Sequence, residues 1–270
     1  MQDIKHIIAV ASGKGGVGKS TTAVNLALAL AARGAKTCLL DADIYGPSQQ
    51  TMLGVDSQVR PARAGEYMLP VEAHGLKTMS MGYLITEGTP MVWRGPMAGG
   101  ALAQMLEQTL WGNLDYLIID MPPGTGDIQL TLSQKARVSG AVIVTTPQDI
   151  ALQDAKKGIE MFRKVNVPIL GVVENMAVHV CSNCGHREHV FGELGGERIS
   201  SDYGVPLLAS LPLALSIREQ TDSGRPTVVA EPDSPLAAMY LEAADAMQAA
   251  LAGKSSAVVQ QFPEIKVSDD

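Results

Sequence analysis

The chain has 270 residues, with 21 Lys and Arg against 28 Asp and Glu, giving a formal charge of −7. That acidic balance argues against non-specific nucleic-acid binding, which needs a basic face to displace counterions. Hydrophobic residues make up 46% and charged residues 18%, which excludes a disordered chain, and aromatics at only 4% leave the core to aliphatic side chains.

Strand-like aliphatic runs lie at 7–11, 36–40, 116–119, 141–145, 169–173 and 207–211. Helix-like stretches lie among them and after the last, at 21–33, 98–110, 150–164, 193–202 and 235–251. This alternation predicts an α/β fold with a doubly wound, mainly parallel sheet, whose strands are buried on both faces. The helix at 21–33 is apolar nearly all round and so reads as interior, with Gly34 a left-handed stop. Residues 48–75, which include Pro61, Gly65 and Pro70, show no period and read as an excursion over the surface. One domain over 1–252, with a mobile tail over 253–270, is the expected organisation. Three cysteines are too few for a disulfide scaffold of this size. The N-terminus does not read as a secretory signal, and no apolar run approaches the ~18 residues of a membrane span. A cytoplasmic protein with reduced thiols and no membrane partner is the expectation.

The strongest motif is Ser12-Gly13-Lys14-Gly15-Gly16-Val17-Gly18-Lys19-Ser20-Thr21, which fits G-x-x-x-x-G-K-[ST] between a strand and a helix. Its glycines allow successive N–H groups to curl around a phosphate, and the helix N-terminus faces the same anion. Lys19 would reach the β- and γ-phosphates of ATP, and Ser20 would give a hydroxyl to Mg²⁺. A plain glycine-rich turn is the alternative, but the pattern arises by chance in only ~1–2% of chains this long.

Lys14, the first lysine of GKGGVGKST, resembles that of the deviant Walker A (SIMIBI-type) P-loop NTPases, which include the nitrogenase iron protein and the MinD/ParA positioning ATPases. The resemblance implies that Lys14 crosses a homodimer interface to the partner's nucleotide, where a second cation stabilises transition-state charge. It also implies that Asp43, in Leu39-Leu40-Asp41-Ala42-Asp43, orients or deprotonates the attacking water, with Asp41 a supporting acid. Leu117-Ile118-Ile119-Asp120 reads as a Walker B strand, with Asp120 holding Mg²⁺ through water, followed by a Pro- and Gly-rich loop able to sense the γ-phosphate. Helix-cap or turn roles are the bland alternative for either acid alone. Asn175, in Glu174-Asn175-Met176, resembles the group's adenine-reading asparagine, against a simple turn role.

Cys181 and Cys184, in Cys181-Ser182-Asn183-Cys184-Gly185-His186, form the second informative site, near 178–190. Three randomly placed cysteines would give such a pair about 2% of the time. A haem attachment needs His directly after the second Cys, and the pair does not follow a first βα turn as in thioredoxin-like proteins. His186 and His189 follow too closely for zinc-finger spacing. Two thiolates per chain are half of a four-thiolate site, which a second chain can complete. An inert pair is the bland reading, and Cys38, inside a predicted strand, reads as a buried thiol.

The combination resembles the Mrp/ApbC branch of these ATPases, the iron–sulfur cluster carriers, with matching stretches from the phosphate loop through DADIYGPS, MVWRGPM, DMPPGTGDIQLT, TTPQDIAL, ENM and CSNCGH to 218–227. The resemblance implies slow ATP hydrolysis, a [4Fe–4S] cluster bridging a homodimer through Cys181 and Cys184, and apo iron–sulfur proteins and an assembly scaffold as partners. Many members carry an additional small domain before the core, whereas about six residues precede the first strand here, so its role is expected to be absent, supplied by another protein or lost by truncation. The alternatives are a MinD/ParA-like positioning ATPase, which usually needs a basic amphipathic terminal helix or basic face, and a scaffold bridged by zinc at the same thiolates.

Overall fold

The computed structural model describes residues 3–84, 95–181 and 183–259. In chain order it runs β1 (Ile4–Ala11), α1 (Lys19–Ala32), β2 (Thr37–Asp41), α2 (Gln49–Met52), β3 (Arg63–Ala64), β4 (Tyr67–Met68), β5 (Val71–Ala73) and β6 (Leu76–Ser80). A short 3₁₀ turn, Met81–Tyr83, follows. After it come α3 (Gly95–Gln108), β7 (Leu114–Asp120), α4 (Asp127–Lys135), β8 (Gly140–Thr145), α5 (Asp149–Lys164) and β9 (Ile169–Glu174). The chain continues through β10 (His179–Val180), β11 (Arg187–Glu188), α6 (Gly195–Tyr203), β12 (Leu207–Ser210), α7 (Leu215–Asp222), α8 (Thr227–Ala230) and α9 (Pro235–Val259).

The main sheet has eight strands in the order β12-β9-β8-β1-β7-β2-β6-β5, and every pairing is parallel except the β5–β6 edge hairpin. Each aliphatic run foreseen in the sequence falls on one of its strands, with Lys36 and Leu211 one residue outside β2 and β12. Alternation along β1 explains the two layers: Ile7, Ala9 and Ala11 join the core beneath α3 to α6, while Ile8 and Val10 face the core under α1 and α9. Helix α1 is buried on almost every side, and Gly34, at φ +86°, ends it by donating to the Ala31 carbonyl while Ala35 donates to that of Leu30.

Residues 48–75 hold more structure than a surface excursion. Their end supplies β5, and β5 with β6 extends the sheet past β2. The polar alternation of Leu76-Lys77-Thr78-Met79-Ser80 hides a strand whose Leu76, Thr78, Met79 and Ser80 are buried. Helix α9 runs to Val259, past Gly253 where the tail was expected to begin, because the Ala-rich run outweighs the cost of one helical glycine. Residues 260–270, and 91–94 of MVWRGPM, lie outside the described residues.

The parallel register brings the strand ends to one edge, pairing Val10 and Asp41 with Asp120, and Thr145 with Glu174. At that edge β1 sits between β7 and β8, so the chain departs from it to either side, the topology that opens a ligand crevice in α/β sheets.

Candidate functional site

The loop from β1 to α1 curls at Gly16 (φ +81°) and Gly18 (φ +83°), a region that L side chains rarely adopt. Gly18 precedes α1 with no side-chain cap, so the first-turn N–H groups stay directed into the loop. Gly13 answers a different demand: a Cβ there would stand 2.1 Å from the Asp154 carbonyl carbon, so only glycine lets the loop rest on α5. A cavity of about 200 Å³ opens over this loop, lined by Ser12, Lys14, Gly15, Gly16, Gly18, Lys19, Ser20 and Thr21 with Asp43, Met52 and Pro123. Val17 is buried behind it.

Lys19 is buried with its Nζ 2.5 Å from Asp120 Oδ1, 3.2 Å from Ser20 Oγ and 3.7 Å from Asp43 Oδ2. One ammonium thus joins the phosphate loop to Asp43 and Asp120, two of the three acids foreseen from the sequence. Asp41 is fully buried and organises the segment after β2. Its Oδ1 accepts from the Asp43 N–H at 3.1 Å, and its Oδ2 from the Ser48 and Gln49 N–H at 3.0 and 3.1 Å and from Ser80 Oγ at 3.0 Å. Burial first, and the Asp120 carboxylate second, push the Asp41 carboxyl up to about 7 against the pull of these donors and Lys19. Burial also raises Asp43, and Lys19 opposes it. Lys14 is half-buried, has no ion-pair partner among the described residues, and its carbonyl accepts from Ser12 Oγ at 2.9 Å.

Gln49, which sequence reasoning passed over, sits inside this network. Its Nε2 donates to Asp120 Oδ2 at 2.8 Å and to the Ser20 carbonyl at 3.0 Å, while its Oε1 is buried without a partner. A glutamine beyond the DADIYGPS stretch belongs to no motif, so nothing local marked it. The loop after β7 is tied down as well: Gly124 donates to the Ser12 carbonyl at 2.9 Å, and Gln129 Nε2 donates to the carbonyls of Gly124 and Pro122.

Asn175 closes the far side of the loop. Its Nδ2 donates to the Val17 carbonyl at 2.9 Å, and a Cβ on Gly18 would lie 2.1 Å from that nitrogen. The preceding residue, Glu174, also missed from sequence, accepts from the Gly196 N–H at 2.8 Å and from Ser210 Oγ at 3.2 Å, pinning the start of α6.

Between Asn175 and α6 the chain makes a small hairpin, β10 paired antiparallel with β11, whose connection carries the two cysteines. Cys181 N–H donates to the His186 carbonyl at 2.9 Å and Gly185 N–H to the Cys181 carbonyl at 2.8 Å, a tight turn that leaves Cys184 exposed and Cys181 partly so. Backbone N–H groups of Cys184 and Asn183, then the Cys184 side chain, draw the Cys181 thiol below its ordinary range. His189 turns away, with its Nδ1 2.9 Å from the Ala177 carbonyl. Among the described residues no group of three or more His, Cys, Asp and Glu is placed to hold a metal ion, so the two cysteines stand without a third such side chain beside them. Cys38 is fully buried in β2, and burial pushes its thiol up to about 12. No helix among the described residues is long and apolar enough to cross a membrane.

Residues 3–248 match the family model described as ParA, NUBPL iron-transfer P-loop NTPase. An iron-sulfur cluster carrier protein from Pseudomonas fragi is 65% identical over 245 residues, covering 90% of this chain and 85% of that protein. A nucleotide-binding protein from Archaeoglobus fulgidus, solved in complex with ADP, superposes with a TM-score of 0.75 at 38% identity over 87% of this chain and 91% of its own. The cell division ATPase MinD of Pyrococcus furiosus superposes with a TM-score of 0.67 at 27% identity, covering 91% of this chain and 99% of its own. Matched by that family model over most of its length, the chain belongs to the Mrp/NUBPL branch of iron-transfer P-loop NTPases.

Proposed function

We propose that the chain is an ATP-hydrolysing carrier that, as a homodimer, holds one [4Fe–4S] cluster between two copies of the Cys181–Cys184 hairpin and delivers it to apo-proteins. The observation that carries this reading is a cysteine pair with Cys184 exposed and Cys181 partly so, with no third such ligand among the described residues, on a chain with a complete phosphate loop. Two such pairs supply the four thiolates of a cubane cluster, and a two-fold axis does so with one self-complementary interface.

In the nucleotide half, the loop N–H groups and Lys19 bind the phosphates, so a phosphate oxygen takes over the ammonium that Asp120 now holds. Asn175, beside Val17, reads the adenine edge. Ser20 and, through water, Asp120 offer the oxygen donors that suit a hard dication, and Mg²⁺ held there would neutralise charge on the phosphates. Asp43 orients the attacking water and accepts its proton as the oxygen adds to the γ-phosphorus and the bond to ADP breaks. Lys14 of one copy reaches the nucleotide of the other.

In the cargo half, the lowered Cys181 thiol favours the thiolate, the ligand form. Delivery is ligand exchange: each hairpin thiolate leaves its iron as a recipient thiolate binds, with no change of oxidation state. A cytoplasmic setting, an assembly scaffold as donor and apo iron–sulfur proteins as recipients complete the proposal. Anaerobic reconstitution followed by iron and sulfide analysis tests it. About four irons and four sulfides per dimer are expected; stoichiometric zinc with no iron uptake would contradict it.

A further inference from the structure

We propose that Gln49 is a positioning residue of the phosphate site, holding the Asp120 carboxylate with its amide nitrogen and receiving a cation-bound water on its amide oxygen. Gln49 is only 1% exposed although it begins a short helix on the sheet edge. Its two established partners, the Ser20 carbonyl and Asp120 Oδ2, are both acceptors. Only the NH₂ end can face them, so the chemistry of the partners fixes which end of the amide is oxygen.

That orientation leaves Oε1 buried and unpartnered, whereas buried polar atoms nearly always find a partner. The nearby protein donors are committed elsewhere. Lys19 Nζ serves Asp120 and Ser20 Oγ, and the Ser48 and Gln49 N–H groups serve Asp41. The orphaned oxygen shares its amide carbon with the nitrogen that touches Asp120 and Ser20, so it lies within the same small volume. Mg²⁺ takes few protein ligands and keeps several waters, and each of those waters is a strong donor. A hydrated cation beside Ser20 and Asp120 supplies the donor that Oε1 lacks.

Outer partners of this kind typically govern metal affinity by 10–100-fold, because they set the orientation of the groups the ion touches. Gln49 acts on the cation through Asp120 and water, and makes no contact with the reacting phosphate. The inference rests on reading Ser20 and Asp120 as the cation's holders, and it is independent of the cluster-carrier reading.

ADP affinity, measured by calorimetry in EDTA and across a Mg²⁺ series, tests the assignment, with Mn²⁺ binding followed by electron paramagnetic resonance as a direct readout. In Gln49→Met, of similar length but unable to make either hydrogen bond, the Mg²⁺ concentration that half-maximally tightens ADP should rise by about tenfold. The same substitution should change ADP affinity in EDTA much less than it changes the Mg²⁺ requirement. An unshifted Mg²⁺ midpoint in Gln49→Met would overturn the proposal, as would equal losses of ADP affinity with and without Mg²⁺, the mark of a spacer. Should Gln49→Met fail to fold, Gln49→Ala carries the same comparison. If wild-type protein binds ADP with no Mg²⁺ effect at all, the cation site itself is wrong and this assignment falls with it. Absence of iron uptake would leave it standing.

Discussion

Lys19 Nζ and Asp120 Oδ1 meet at 2.5 Å in the interior, 101 residues apart in sequence, with the lysine side chain 6% and the aspartate side chain 0% exposed. A buried pair of this kind is hard to break from one side, because the abandoned charge stays in a poorly solvating place. Lys19→Ala should therefore lose tight nucleotide binding and also destabilise the protein by about 3–5 kcal/mol without nucleotide. Lys19→Met combined with Asp120→Leu should recover most of that stability and none of the binding. Urea denaturation of the single and double variants checks this, and a double variant no more stable than Lys19→Ala would refute it.

Asp43 stands 3.7 Å from the same ammonium, at the end of a turn hung on Asp41. In the proposed mechanism it acts on water rather than gripping phosphate. Asp43→Ala should keep ATP affinity while lowering turnover by about 10²–10⁴-fold, the usual worth of a general base. Calorimetry alongside phosphate release separates the two effects. Normal hydrolysis by the variant would remove Asp43 from this role.

The loop glycines are not equivalent. At Gly13 a Cβ would collide with the backbone of Asp154, which no rotamer change can relieve, whereas at Gly16 nothing lies within 4 Å and only the φ of +81° opposes a side chain. Gly16→Ala should cost about 1–2 kcal/mol, the ordinary penalty of a left-handed alanine. Gly13→Ala should cost clearly more and weaken nucleotide binding, since the loop must lift from α5. Equal melting temperatures for the two variants would contradict the account.

The Asp41 carboxyl, pushed up to about 7 by burial and by Asp120, makes stability depend on pH. A raised acid binds its proton more tightly folded than unfolded, so it favours folding most below its unfolded value near 3.9, and that contribution is lost as pH rises towards 7. Asp41→Asn removes the titration. From pH 5 to pH 7.5, wild type should therefore lose stability relative to Asp41→Asn in guanidinium unfolding. Parallel pH profiles would show that Asp41 titrates in its ordinary range.

The parallel strands were legible because a strand buried on both faces must be aliphatic, as Leu117-Ile118-Ile119 is, and the phosphate loop because its glycines answer a backbone requirement. β6 was not, since its Lys77 is exposed and its Thr78 hydroxyl is satisfied by the Val71 carbonyl and the Tyr83 hydroxyl, partners no local pattern shows. The hairpin carrying Cys181 and Cys184 rests on two-residue strands, too short for any period to register. Gln49 and Glu174 escaped for a related reason: their partners Asp120 and Ser210 lie 71 and 36 residues away. Asn175 was singled out by resemblance, yet its bond to Val17, 158 residues distant, is a property of the fold alone.

If two chains share one cluster through Cys181 and Cys184, native mass spectrometry of anaerobically reconstituted protein detects it as a single assembly. The expected species is a dimer carrying a single [4Fe–4S] unit, lost in Cys181→Ser and in Cys184→Ser and kept in Cys38→Ser, whose thiol is buried in β2. A monomer that holds a complete cluster, or cluster loading indifferent to both hairpin substitutions, would contradict it.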